Sequence, residues 1–153
     1  MRTTFTSILA LCALCITSST SAQSTWGVVY NQLQNNCVSC HGGPSPSGNL
    51  DMSGTNSAVY AALVNQVPNN AAAAAKGNKL VDPGYPERSF LLRKCANSDW
   101  DPWFEYTLAP EEGTNMPQYP GVAFTDAEIE MVRQWIIYGA RETETVVDPQ
   151  LIT

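Results

Sequence analysis

Cys37-Val38-Ser39-Cys40-His41-Gly42-Gly43-Pro44 is the stretch on which the reading of this chain turns. It sets two thiols two residues apart with an imidazole directly after the second, and no second histidine occurs anywhere in the chain. Of the five cysteines, Cys12 and Cys15 fall in an apolar stretch from Ile8 to Ile16 that follows Met1-Arg2 and precedes the small residues Thr20-Ser21-Ala22. That order predicts a signal peptide over residues 1–22, cleaved before Gln23, and hence a periplasmic or otherwise exported protein. Cys37, Cys40 and Cys95 then remain. An odd count in an oxidising compartment argues against a fully paired disulfide framework.

Within a helical turn, a two-residue spacer brings two sulfurs to the reach of the two vinyl groups on one porphyrin edge. The residue that follows then points at the metal. The pattern signals one covalently attached haem c, with Cys37 and Cys40 forming thioethers and His41 giving an imidazole nitrogen to iron. The other ring nitrogen then donates to a nearby carbonyl, which fixes the tautomer. The tight turn Gly42-Gly43-Pro44 makes the Pro44 carbonyl the candidate acceptor, with an ordinary turn as its alternative role. Two rival chemistries use the same residues. A Cys3His zinc set of Cys37, Cys40, His41 and Cys95 would need adjacent Cys40 and His41 to be two corners of one tetrahedron. A redox-active Cys37/Cys40 pair would want a thioredoxin-like βαβ context, and the alternating strands for that are missing from the pattern.

The opposite axial position decides what an iron here can do. Met116 sits in Gly113-Thr114-Asn115-Met116-Pro117, a turn-rich loop able to bring a thioether across a haem face. Met131 falls at helical spacing among Ile129, Val132, Trp135 and Ile136 and reads as core or surface. Met52 follows His41 too closely in sequence to wrap comfortably around a ring. Met116 is therefore the expected second ligand, with loop packing as its alternative role.

The chain of 153 residues carries 44 % hydrophobic and 14 % charged side chains, with 10 Gly and 10 Pro, which excludes disorder and implies one loop-rich globular domain over residues 23–142. Lys+Arg 8 against Asp+Glu 14 gives a formal charge of -6, so nucleic acid and anionic membrane are poor partners. The leader's apolar run is too short to span a bilayer and no later segment is longer, so no stable membrane insertion is expected.

Apolar spacing predicts a mostly helical domain. A helix from Thr25 places Trp26, Val29, Tyr30 and Leu33 on one face and leads into the cysteines. A second runs Ser57 to Gln66, with Val67 on its apolar face, and stops at Pro68. A third covers the five alanines after Asn70 and ends at Gly77. Pro86 starts a short helix through Lys94. The last spans Thr125 to Ala140, opened by the capping box Thr125-x-x-Glu128 and closed at Gly139, with Ile129, Val132 and Ile136 facing the first helix. Residues 143–153 read as a frayed C-terminal tail.

Taken together, the CxxCH near the mature N-terminus, the GxxMP loop and the final amphipathic helix resemble class I monohaem cytochromes c. Val81-Asp82-Pro83-Gly84-Tyr85-Pro86-Glu87-Arg88-Ser89-Phe90-Leu91-Leu92 is similar to the VxPGxPxxSxL stretch of planctomycete-type cytochrome c domains, as are Asn49-Leu50-Asp51-Met52 and Trp135-Ile136-Ile137-Tyr138-Gly139-Ala140. The resemblance spans roughly Trp26 to Arg141. It implies an all-α, cytochrome c-like orthogonal helix bundle around haem c held at Cys37 and Cys40 and ligated by His41 and Met116, in an electron-transfer protein rather than an enzyme. One departure is the aromatic-rich segment from Asn97 to Tyr106, which either caps the core locally or meets a haem edge or a partner.

With both axial positions filled, single-electron exchange with a dehydrogenase, reductase or oxidase is the expected function. His/Met ligation predicts a positive reduction potential. A sensor or ligand-binding module with a displaceable Met116 is the alternative. The acidic body favours either a basic patch on the partner or a neutral docking face.

Overall fold

Trp26 is the centre from which the packing is built. The computed structural model describes residues 23–96, 108–118 and 121–151; the expected leader over 1–22 and the aromatic segment Asn97 to Tyr106 lie outside the described residues. Helix α1 (Thr25–Asn36) opens at Ser24, whose Oγ accepts from the Gly27 N–H at 3.1 Å. That bond satisfies one of the four donors every helix leaves unpaired at its start. Trp26, Val29 and Leu33 are buried on one face, as the spacing predicts, while Tyr30 is half-buried and its hydroxyl donates to the Gly54 carbonyl.

The last helix, α5 (Asp126–Ile137), has the predicted capping box: Thr125 Oγ1 accepts from the Glu128 N–H and the Glu128 carboxylate accepts from the Thr125 N–H. Its buried face, Ile129, Met131, Val132, Trp135 and Ile136, packs across α1. The Trp26 and Trp135 rings stack with centroids 5.1 Å apart, and Tyr60 meets Trp26 edge-on at 5.4 Å. Met131 is fully buried there, in keeping with a core role.

Between them lie α2 (Asn56–Leu63), α3 (Ala71–Ala75) and α4 (Phe90–Cys95). Two of these differ from the sequence expectation. Helix α2 ends at Leu63 instead of Gln66, because Val64 leaves the helix to pair with Val81 in a parallel bridge and Asn65 takes a positive φ of 61°. Val67 is consequently 57 % exposed and does not join the helix's apolar face. The helix expected from Pro86 splits into a 3-10 turn, Pro86–Arg88, and α4. Ser89 breaks it: its backbone is extended, it bridges to Lys79, and its Oγ accepts from the Asp82 N–H at 2.9 Å.

The segment expected as a frayed tail is instead tied down. Thr25 N–H donates to the Glu144 carbonyl at 3.1 Å, Val146 N–H donates to Thr25 Oγ1 at 2.9 Å, and Val147 joins the core at 4 % exposure. The reason is Thr25 itself, fully buried at the first position of α1, whose hydroxyl finds its partner in the returning chain.

The described residues thus form an all-α domain of five α-helices with no strand beyond two isolated bridges. No helix among them is long and apolar enough to cross a membrane.

Candidate functional site

The CxxCH residues continue α1 as a turn past its end. Cys37 N–H donates to the Leu33 carbonyl at 2.9 Å, and Cys40 and His41 N–H both donate to the Cys37 carbonyl, at 3.1 and 2.8 Å. This compact turn keeps the three chemistry-bearing side chains on one side. Gly42 is required by close packing: a Cβ there would stand 2.8 Å from the Val38 carbonyl oxygen, closer than any side chain tolerates.

Cys37, Cys40 and His41 line a cavity of about 310 Å³, at the lower end of the roughly 300–1,000 Å³ range of ligand pockets. Leu50, Met52, Leu80, Phe90 and Leu91 form its apolar wall, and Asn36, Ser39, Ser47, Asn69 and Asn70 contribute amides and hydroxyls. Met116 and Pro117 line it from the later part of the chain. Four of the sequence-predicted site residues, Cys37, Cys40, His41 and Met116, are therefore brought together. Pro44 is not: it is exposed and absent from the cavity wall.

The acceptor predicted at Pro44 is replaced by Ser47. His41 Nδ1 lies 2.9 Å from the Ser47 carbonyl oxygen. Ser47 is placed there because its own N–H donates to the Cys40 carbonyl at 2.9 Å, folding the Pro46-Ser47 turn back onto the motif. A carbonyl oxygen can only accept, so Nδ1 carries the proton and the Nε2 lone pair is left for another partner. That is the tautomer an imidazole needs to ligate a metal through Nε2.

All three described cysteines are unpaired. Burial, and then the neighbouring Cys40 thiol, pushes Cys37 up to about 11, while Cys40 is exposed. Cys95 also lines the cavity, at 7 % exposure, and burial raises its thiol further still, so it is an inert wall residue in this arrangement and not an accessible partner for an intermolecular disulfide. Among the described residues no three His, Cys, Asp or Glu side chains are grouped so as to hold a metal ion.

Sequence reasoning missed two features. Met52, set aside for its nearness to His41, is 2 % exposed and lines the cavity on the histidine side, its N–H donating to the His41 carbonyl at 2.6 Å. The second is a buried charge cluster beside the methionine loop. The Glu112 carboxylate accepts from both terminal nitrogens of Arg93, at 2.9 and 2.8 Å, and from the Ala109 N–H at 2.8 Å. The one available signal was adjacent acids and bases, Glu111-Glu112 and Arg93-Lys94, in a chain otherwise poor in charge.

The residues fit a covalently held haem. Two free thiols and a histidine whose Nδ1 is engaged by Ser47 line one cavity, and Met116 lines the same cavity from a separate loop. Comparison with protein families, curated proteins and solved structures finds no match to this chain.

Proposed function

We propose that this chain is an exported monohaem c-type cytochrome, a cytochrome c-like orthogonal helix bundle that carries single electrons between redox partner proteins. The single observation behind the reading is that Cys37, Cys40, His41 and Met116, from opposite halves of the chain, line one cavity. When bound, haem c supplies an iron that gains and loses one electron.

The chain's own residues do the rest. Cys37 and Cys40 anchor the group through thioethers at the end of α1. His41 offers Nε2 to the metal while Nδ1–H stays with Ser47. Met116, which lines the same cavity from a separate loop, would offer its thioether sulfur. With His41 and Met116 both given to the metal, no position would be left there for a substrate, which favours a carrier over an enzyme. Leu50, Leu80, Phe90 and Leu91 exclude water and lower the local dielectric, which disfavours the more highly charged oxidised state and raises the reduction potential.

The test is a pyridine haemochrome spectrum with the intact mass of protein exported from a host that has haem-attachment machinery. The reading requires a c-type spectrum and the mass of the chain plus one haem. Colourless protein at the bare-chain mass refutes it.

A further inference from the structure

Packing alone does little to fix the stretch that carries Met116. Residues 113–118 are exposed or half-buried, and they follow directly on a 3-10 turn, Pro110–Glu112. What fixes them is a set of polar tethers to α4. Glu112 is 1 % exposed and is held by the Arg93 guanidinium, by Lys76 at 3.1 Å and by the Ala109 N–H. Lys94, the next residue on α4, reaches over Gly113 and donates to the Glu112 and Thr114 carbonyls at 2.6 and 2.8 Å. Gly113 has φ +79°, and a Cβ on it would lie 3.3 Å from Lys94 Nζ, so the lysine's path depends on that glycine. Met116 N–H then donates to the Lys94 carbonyl at 2.6 Å, and the Asn115 amide donates to the Ala96 carbonyl at 3.1 Å.

The Glu112 carboxylate is the acceptor shared by both terminal nitrogens of Arg93 and by Lys76, so removing its charge takes away the side-chain link between this loop and α4. Consecutive residues of α4 thus hold the side chain of Glu112, the backbone around Gly113 and the backbone of Met116 as one unit.

We infer that Glu112 is a positioning residue whose bonds to Arg93, with those of Lys94 to the same loop, hold Met116 at the cavity and set how readily a small incoming ligand displaces it. The inference rests on the haem reading proposed above, in which Met116 is the axial ligand. It goes further by assigning the ease of displacement to a charge cluster that does not line the cavity at Glu112 or Arg93.

The experiment is an imidazole titration of the oxidised, haem-loaded protein, read from its absorption spectrum. Wild type is compared with Glu112→Gln, which keeps the size of the side chain and removes its charge, and with Val29→Ala, a truncation in the α1 core that leaves these tethers intact. Glu112→Gln is expected to bind imidazole about ten-fold more tightly or better, because apparent affinity rises with the fraction of protein whose loop is open. Val29→Ala is expected to bind as wild type does. Unchanged affinity in Glu112→Gln, or an equal gain in Val29→Ala, overturns the inference. Should Glu112→Gln fail to fold, Lys94→Gln, which keeps the Glu112–Arg93 pair and removes only the bonds to the Glu112 and Thr114 carbonyls, replaces it with the same two outcomes. If wild type proves to hold no haem, the haem reading falls by itself. Amide hydrogen exchange at Met116 then decides the clamp in the bare chain: faster exchange in Glu112→Gln supports it, and unchanged exchange defeats it.

Discussion

The ring of His41 and the backbone of Ser47 form one unit: Nδ1 of the imidazole donates to the Ser47 carbonyl oxygen at 2.9 Å, while Ser47 N–H returns to Cys40. The histidine's tautomer is thus set by a turn that closes on the same motif. Because the acceptor is Ser47, exposed Pro44 has no part in orienting the ring. Pro44→Ala is therefore expected to change stability by no more than about 0.5 kcal/mol, the ordinary range for a surface position. It should also leave the spectrum of the haem-loaded protein unchanged. Chemical denaturation and absorption spectroscopy check both.

On the proposed haem reading, Met116→Ala should leave thioether attachment at Cys37 and Cys40 intact, since neither thiol depends on the methionine loop for its place at the end of α1. Mass spectrometry would then still show the chain plus one haem. The Met-to-iron charge-transfer band should vanish and the spin state change. Survival of that band would assign the second ligand elsewhere, with Met52 as the other methionine on the cavity wall.

Gly42 stands where a side chain has no room. Gly42→Ala places a carbon 2.8 Å from the Val38 carbonyl oxygen and 3.0 Å from its Cγ1, inside the turn that presents Cys40 and His41. Relief requires a backbone shift, costing roughly 1–3 kcal/mol as for other overpacked sites. The denaturation midpoint should fall, and the yield of haem-loaded protein with it. An unchanged midpoint would mean the turn has slack.

The stack of Trp26 on Trp135 joins the first helix to the last, with both rings fully buried. Trp135 also donates its indole N–H to the Arg141 carbonyl at 2.9 Å. Trp135→Ala is expected to cost roughly 3–5 kcal/mol, the range for deleting a buried aromatic ring. Trp26→Ala should cost a similar amount, and the double variant less than the sum of the two, because the second truncation has no stacked partner left to lose.

Glu112 makes the fold sensitive to acid. Burial alone would raise its carboxyl, but hydrogen bonds from Arg93, the Ala109 N–H and Lys76 outweigh it and hold the group down at about 2, from an ordinary 4.5. A carboxyl lowered in the folded state adds stability above its unfolded value and loses it as pH falls through the folded one. Stability should therefore decline between about pH 4.5 and about pH 2. Glu112→Gln should be less stable at neutral pH, because it removes the charge to which both terminal nitrogens of Arg93 donate. Its profile across that acid window should be flatter than wild type. Parallel slopes in the two proteins would show that other carboxylates govern acid unfolding.

How much of this was legible beforehand follows from range along the chain. The helix α5 start, the α1 face and the Ala-rich α3 were readable because caps and apolar spacing act within a turn or two. The placement of Cys37, Cys40 and His41 on one turn was readable for the same reason. The end of α2, the break at Ser89 and the docking of Val147 were not, since each depends on a partner far away in sequence: Val81, Lys79 and Thr25.

The amino-acid order by itself determined an all-α domain and one compact thiol–thiol–imidazole turn, because local hydrogen bonding and side-chain periodicity need no distant partner. Only the tertiary structure decided that Met116 and Met52 both reach the His41 cavity, that Ser47 and not Pro44 accepts from the imidazole, and that Arg93 and Lys94 hold the methionine loop. Buried charges and long-range carbonyl acceptors are chosen by what the folded chain brings within about 3 Å, a distance that spacing along the sequence does not encode.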